Sequence, residues 1–185
     1  MKRISTFFIT ALATVIFAQL AFSQTAPAPA AAPAPQTANP ISADLKLAYT
    51  SVKNNLLKMA EKMSEENYAF KATADVRTFG QLIGHVADSQ ARTCGLLNGE
   101  PKNLNASTKT AKAELVAALQ ESFAVCDKAI DSMTDAKAAE MITLGQRQST
   151  RVGALARLIA HSNEEYGYMA VYMRLKGVIP PSSEK

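Results

Sequence analysis

The segment spanning residues 41–63 reads ISADLKLAYTSVKNNLLKMAEKM, and its apolar side chains recur every three or four residues. The members of this stripe are Ile41, Leu45, Ala48, Val52, Leu56, Met59 and Met63. Such spacing gives an α-helix one continuous apolar face, here about six turns long. We therefore predict a first helix from about Ser42 to about Ser64.

Two further helices are indicated by capping signals and by the same periodicity. Thr78-x-x-Gln81 has the form of a capping box, so a second helix begins at Thr78 and ends near residues 98–99. Ser107 or Thr108 is the expected cap of a third helix. The apolar positions of the second helix are Phe79, Leu82, Ile83, Val86, Leu96 and Leu97, and those of the third are Leu115, Leu119, Phe123, Cys126, Ile130 and Met133.

A fourth helix is predicted from about Thr150 to Lys176, because Gly177 and the prolines after it are typical of a helix C-terminus. A short turn around residues 135–141 and an irregular stretch over residues 143–150 precede this helix. Four helices of about 20–27 residues bury a full core only by packing side by side. The predicted fold class is therefore all-α, a four-helix bundle.

The N-terminal region has the pattern of an export signal. Lys2 and Arg3 precede an apolar run over residues 4–22, and residues 21–23 (Ala-Phe-Ser) suit a signal peptidase. We predict a signal peptide over residues 1–23, a periplasmic or secreted location, and no membrane contact after cleavage. An uncleaved anchor is the alternative, since roughly 20 apolar residues just span a bilayer.

An Ala/Pro-rich spacer follows over residues 24–40, and the bundle domain occupies residues 41–185. The spacer has no large apolar side chain before Ile41 and is predicted to be disordered, because it cannot bury enough surface to offset its ordering entropy.

The charge pattern excludes one class of partner. Removing Lys2 and Arg3 with the signal lowers the formal charge from +4 to +2. No cluster of basic residues with interleaved aromatics remains, so we expect no nucleic-acid binding. The expected partner is an unknown small molecule, and the sequence leaves open a homodimer formed through a helix face.

The two histidines of the chain, His85 and His161, both fall where they can face the core. His161 and Glu165 lie one turn apart on the apolar stripe of the fourth helix, which consists of Ala154, Leu158, His161, Glu165, Tyr168 and Tyr172. A carboxylate facing a bundle core is costly unless it is paired or bound to a metal. We therefore consider a site with two histidines and one carboxylate.

Simpler interpretations remain open from spacing alone. A His-x-x-x-Glu pair on a helix is more often hydrogen-bonded or solvated than bound to a metal. Asp88 and Glu164 are candidates to orient the imidazoles from outside the ligand set, or are exposed charges. The tyrosines Tyr166, Tyr168 and Tyr172 are expected to pack rather than to react.

At these residues the chain resembles the DinB-like superfamily of metal-binding four-helix bundles. The resemblance is carried by HSNEEYG at residues 161–167, YMR at 172–174, GVIPP at 177–181 and TFGQLIGHVAD at 78–88. It extends over nearly all of residues 44–183. It implies an up-down-down-up arrangement of the helices.

The resemblance also implies a ligand set. In the family, one histidine of the second helix and two of the fourth hold a divalent metal, and these positions correspond to His85, His161 and Glu165. The third position departs from the family, because it holds glutamate. Glutamate binds the same ions, but its charge lessens the Lewis acidity of the metal. Zn, Ni, Fe and Mn are not distinguished, and a weakened or empty site is also left open.

Cys94 and Cys126 are the only cysteines, and an even number in an exported chain favours a disulfide. Their levels in the second and third helices match only if those helices run parallel; antiparallel helices would separate them by some 20 Å. The topology implied by the resemblance makes the helices parallel, so it implies a Cys94–Cys126 disulfide. The alternative is two buried free thiols.

The sequence supports three functional hypotheses. The first, which the resemblance implies, is an exported metal-dependent hydrolase or transferase, since characterised members of that family include bacillithiol- and mycothiol-dependent transferases and isomerases. An exported protein lacks ready access to those cytosolic thiols. The second is a non-catalytic envelope protein that binds a small molecule or partner, and the third is a metal carrier or sensor.

Overall fold

The computed structural model describes residues 38–184. The predicted signal peptide, and all of the predicted spacer except residues 38–40, lie outside the described residues. The helices are α1 (Pro40–Lys62), α2 (Phe79–Leu97), α3 (Lys112–Asp131), α4 (Asp135–Ala138) and α5 (Arg151–Leu175), and the strands are β1 (Met141–Leu144) and β2 (Arg147–Thr150). Short 3₁₀ helices cover Glu65–Ala69, Ala106–Thr108 and Pro181–Ser183.

The all-α helix-bundle prediction is confirmed, with α1, α2, α3 and α5 as the four long helices. No helix within residues 38–184 has both the length and the apolar character needed to cross a bilayer.

The first helix buries a slightly different face from the predicted one. Ile41 is 58% exposed and Ala48 is also exposed, whereas Tyr49 is buried. The Tyr49 hydroxyl donates to the carbonyl oxygen of Phe123 (3.1 Å) and to Asp127 Oδ1 (2.8 Å). A tyrosine can be buried in this way because α3 satisfies its hydroxyl.

The predicted caps of α2 and α5 are present. The Thr78 hydroxyl accepts from the Gln81 backbone N–H, and the Gln81 side chain accepts from the Thr78 N–H, forming the full capping box. The Thr150 side chain caps α5, and Gly177 adopts φ = +71° just beyond the end of that helix. The starts of α2 and α5 and the end of α5 could be predicted from local sequence, because capping involves residues within one turn of each other.

The predicted cap of α3 is wrong. Ser107 lies in the 3₁₀ helix, and α3 begins at Lys112 without a side-chain cap. The Asp88 carboxylate instead accepts from the backbone N–H groups of Ala106 (2.8 Å) and Ser107 (2.9 Å), which holds this segment against α2. The carbonyl oxygen of Ala106 comes within 2.7 Å of where a Cβ would stand on Gly84, so only glycine permits this approach.

The stretch predicted to be irregular is a β-hairpin. β1 and β2 pair antiparallel, with Leu144 opposite Arg147. The two-residue turn between them contains Gly145 at φ = +63°, which suits a tight hairpin connection. The strands are only four residues long and only one of their residues is buried, so hydrophobic periodicity gives a weak signal for them.

Helices α2 and α3 run in the same direction. Leu115 near the start of α3 packs against Gly80 near the start of α2, and a Cys94–Cys126 disulfide joins their later turns, with Cα atoms 4.9 Å apart. Both cysteines are buried. The structure thus forms the disulfide that the resemblance implies.

The other long helices oppose this pair. The ammonium group of Lys46 early in α1 lies 2.5 Å from the carboxylate of Asp131 at the end of α3, so α1 and α3 are antiparallel. Helix α5 is antiparallel to α2, because the Tyr172 hydroxyl late in α5 donates to the carbonyl oxygen of Arg77, just before α2 (2.9 Å).

Candidate metal centre

The three candidate ligands lie on the facing sides of α2 and α5. His85 belongs to α2, and His161 and Glu165 lie one turn apart in α5. A buried hydrogen bond from Gln90 Nε2 to Ser162 Oγ (2.8 Å) joins the two helices beside His161. This bond fixes the level at which α5 meets α2.

The three side chains converge at one point. Glu165 Oε1 lies 3.7 Å from His85 Nε2 and 3.8 Å from His161 Nδ1. The two imidazole rings are perpendicular, with centroids 5.0 Å apart. One donor atom from each residue lies within 4.8 Å of the others, which is close enough for all three to contact one ion.

Glu165 is the most deeply placed member of the group. The residue is only 4% exposed, and its Oε2 atom has no hydrogen-bond partner within residues 38–184. Burial raises the pKa of the Glu165 carboxyl, although His161 and Arg77 act in the opposite direction. An unpartnered buried carboxylate oxygen is costly, and a cation held between Glu165 and the imidazoles would remove that cost.

His85 is also suited to binding a cation. Burial lowers the pKa of His85, and the nearby charges of Arg77, His161 and Arg92 lower it further. A low pKa keeps the imidazole neutral near pH 7, and the neutral imidazole is the form that binds metals. Two imidazole nitrogens and a carboxylate oxygen suit Zn, Fe, Ni or Mn. The residues present therefore fit a divalent ion.

The residues expected to orient the imidazoles have other principal partners. Asp88 lies one turn after His85, but its carboxylate accepts from Ala106 and Ser107 rather than from an imidazole. Glu164 Oε2 lies 3.9 Å from His161 Nδ1, while Glu164 Oε1 accepts from the Tyr168 hydroxyl (2.7 Å). The hydrogen bonds of the Asp88 carboxylate hold a loop, although its charge still acts on His85.

An open cleft of about 650 Å³ adjoins the group, and Glu165 lies in its wall. Two of the tyrosines expected to pack are buried, Tyr166 and Tyr172, but Tyr168 is 50% exposed and lines the cleft. Arg77 also lines it and was not among the residues predicted from the sequence. The sequence signal that could have pointed to Arg77 is its position directly before Thr78, the cap of α2. A residue there lies at the end of α2 that meets the last turns of α5.

The fold and the cluster together define a helical bundle with a His, His and carboxylate group between two antiparallel helices. The model of the DinB superfamily matches residues 48–169. The chain belongs to the DinB superfamily. No protein of curated function matches it significantly.

Three solved structures have a similar fold. A DinB-like protein from Bacillus cereus is 17% identical, with a TM-score of 0.66 over 74% of this chain and 93% of its own. A DinB-like protein from Bacillus subtilis is 16% identical, with a TM-score of 0.56 over 72% and 92%. A conserved protein from Enterococcus faecalis is 14% identical, with a TM-score of 0.59 over 72% and 95%. At these identities the likeness concerns the fold.

Proposed function

We propose that this DinB-superfamily protein is an exported, divalent-metal-dependent hydrolase or transferase whose metal site is formed by His85, His161 and Glu165. The convergence of these donors around a buried carboxylate oxygen without a partner carries the proposal. Export rests on the N-terminal pattern of residues 1–23.

Three residues would bind the ion, and the exposure of the site would admit water or a substrate. His85 and His161 supply imidazole nitrogens, and Glu165 supplies a carboxylate oxygen whose negative charge reduces the net charge of the centre. The two histidine side chains are 30% and 31% exposed, so the site has one face toward solvent, and Glu165 also lines the cleft. When bound, the ion would act as a Lewis acid toward water or a substrate thiol. Both cysteines are held in the disulfide, so within residues 38–184 no protein thiol is available as a nucleophile.

Metal content tests the proposal directly. The purified protein, loaded with Zn, Ni, Fe or Mn in turn and then desalted, should retain about one equivalent of at least one ion. His161→Ala and Glu165→Ala should each lose it. Glu164→Ala removes the neighbouring exposed carboxylate and should retain it. Loss of metal in the Glu164 variant but not in the Glu165 variant would contradict the assignment.

A non-catalytic envelope protein is the second candidate. It is favoured by the apolar cleft beside Glu165, the position at which the resemblance leads one to expect a histidine ligand. Such a protein would bind a small molecule without transforming it. Failure of the wild-type protein to retain any ion under all loading conditions would support this candidate over the first. Export is tested by expressing the full chain and measuring the intact mass of the protein recovered outside the cytoplasm, because cleavage after Ser23 removes residues 1–23.

A further inference from the structure

The cleft beside the proposed metal centre has an ordered wall built from the segment between the first 3₁₀ helix and α2. The Phe79 N–H donates to the carbonyl oxygen of Phe70 (2.9 Å) and closes this segment into a loop. The Tyr172 hydroxyl holds the Arg77 carbonyl, and the Tyr172 ring packs edge-on against Phe70 at 5.7 Å between centroids. The backbone of Arg77 is therefore anchored to α5, with its side chain at the cleft.

The other side chains at the cleft are largely apolar. Val76, Tyr168 and Val171 are 41%, 50% and 53% exposed, and all three line the same cavity together with buried Leu82. Single exposed apolar residues are common, but a group gathered around a concave space is typical of a small-molecule site. The space of about 650 Å³ lies within the range of ligand pockets.

The charges of the lining select the kind of ligand. Asp75, Arg77 and Glu165 are the charged residues that line the cleft. Within residues 38–184, no carboxylate lies at ion-pair distance from the Arg77 guanidinium. With a divalent ion bound, the lining carries one net positive charge. An arginine without an ion pair beside an apolar surface suits a planar anion such as a carboxylate.

We infer that the cleft binds small amphipathic carboxylates, with the anionic group on Arg77 and the apolar body against Leu82, Tyr168 and Val171. The inference deepens the proposed function, because the net charge of the cleft includes the bound ion.

Three soluble probes with the same apolar body test the inference by calorimetry. They are 4-phenylbutyrate, its neutral amide 4-phenylbutanamide and the cation 4-phenylbutylamine. The metal-loaded protein should bind the carboxylate roughly tenfold more tightly than the amide, as a charge-assisted bond to arginine requires. The amine should bind most weakly.

Matched arginine variants locate the anion. Arg77→Gln should abolish the preference for the carboxylate over the amide. Arg92→Gln removes a charge that also acts on His85 but does not line the cleft, and it should keep the preference. A preference that persists in Arg77→Gln, or equal binding of carboxylate and amide to the wild-type protein, would overturn the inference. Circular dichroism of each variant checks the fold.

The result separates this inference from the proposed function. If the protein retains metal but shows no carboxylate preference, the cleft assignment fails and the metal centre stands. If no metal is retained, the proposed function fails, and the same titration is made on the metal-free protein. Without the ion the lining carries one net negative charge, so the preference should be weaker there; an Arg77-dependent preference would still support the cleft assignment, and its absence would overturn it.

Discussion

Glu165 shows how one substitution alters a site without moving it. A histidine is expected at this position from the resemblance, yet the glutamate still brings an oxygen within 3.8 Å of both candidate histidine ligands. The change concerns charge rather than position, because a carboxylate adds a negative charge that an imidazole lacks. A bound divalent ion would therefore be a weaker Lewis acid here than with three histidines.

Asp88 is the residue for which the structure predicts a pH-dependent contribution to stability. Burial alone would raise the pKa of its carboxyl, but hydrogen bonds from Ser107 and Ala106 outweigh this effect and lower the pKa. A lowered pKa means that the stabilisation is present above the usual value of about 3.9 and is lost as the pH falls through the folded-state pKa. Asp88→Asn should therefore cost about 1–2 kcal/mol of unfolding free energy at pH 7.

Urea unfolding of both proteins at pH 7, 5, 4 and 3 measures this difference. The two free energies should approach each other as the pH falls toward 3, because protonation makes the carboxyl resemble the amide. Asp44→Asn, which removes an exposed carboxylate of α1, is the control and should change little at any pH. A gap between wild type and Asp88→Asn that stays constant from pH 7 to pH 3 would contradict the assignment.

At the scale of the elements, the contact between α2 and the segment at residues 106–108 depends on the absence of a side chain at Gly84. Ala106 and Ser107 pass so close to α2 that backbone atoms occupy the space of a Cβ. Asp88, one turn later on the same helix, supplies the acceptor for this segment. Within one turn of α2, Gly84 therefore leaves space for the segment that leads to α3, and Asp88 binds that segment by hydrogen bonds.

Two glycine substitutions separate this contact from helix propensity. Gly84→Ala should destabilise the protein by about 1–3 kcal/mol, because the Ala106 carbonyl oxygen would lie 2.7 Å from the new Cβ. Gly167→Ala in α5 meets no atom within 4 Å and should stabilise it by up to about 1 kcal/mol. Thermal and urea unfolding of both variants give the comparison. Equal effects of the same sign would show that the close approach does not determine the cost.

At the scale of the whole molecule, the disulfide joins α2 and α3, two parallel helices whose connecting segment packs against α2. Cys94 and Cys126 are 32 residues apart and both are buried. The same turns of the helices are also joined by Asn98, whose side-chain amide donates to the carbonyl oxygen of Val125 (2.9 Å). Because α2 also carries His85, the disulfide helps to fix the helix that presents one candidate ligand.

Removal of the disulfide should destabilise the protein without changing its fold class. Cys94→Ala combined with Cys126→Ala should lower the unfolding free energy by about 2–4 kcal/mol, chiefly through the entropy of the unfolded chain. Reductant should shift the unfolding midpoint of the wild type and leave that of the double variant unchanged. Alkylation of the purified, unreduced protein followed by mass spectrometry should find no free thiol, and modified cysteines there would refute the bond.

The ends of α2 and α5 could be predicted from the sequence because the capping residues act on neighbours within one turn. The capping box at Thr78 and the glycine at 177 were readable from sequence because they act over one turn. The hydrophobic periodicity likewise predicted the long helices and the bundle. His85, His161 and Glu165 could be proposed as ligands from their helix faces and from a family resemblance.

Only the tertiary structure decided how distant segments meet. Asp88 holds Ala106 and Ser107 against α2, so Ser107 does not cap α3 as predicted. These hydrogen bonds span 18 and 19 positions of the chain, and no local sequence signal indicates them. The convergence of His85 with Glu165, and the placement of Arg77 beside them, depend on the level at which α2 packs against α5. Local bonding and periodicity are written in neighbouring residues, whereas these contacts arise from packing between helices far apart in the chain.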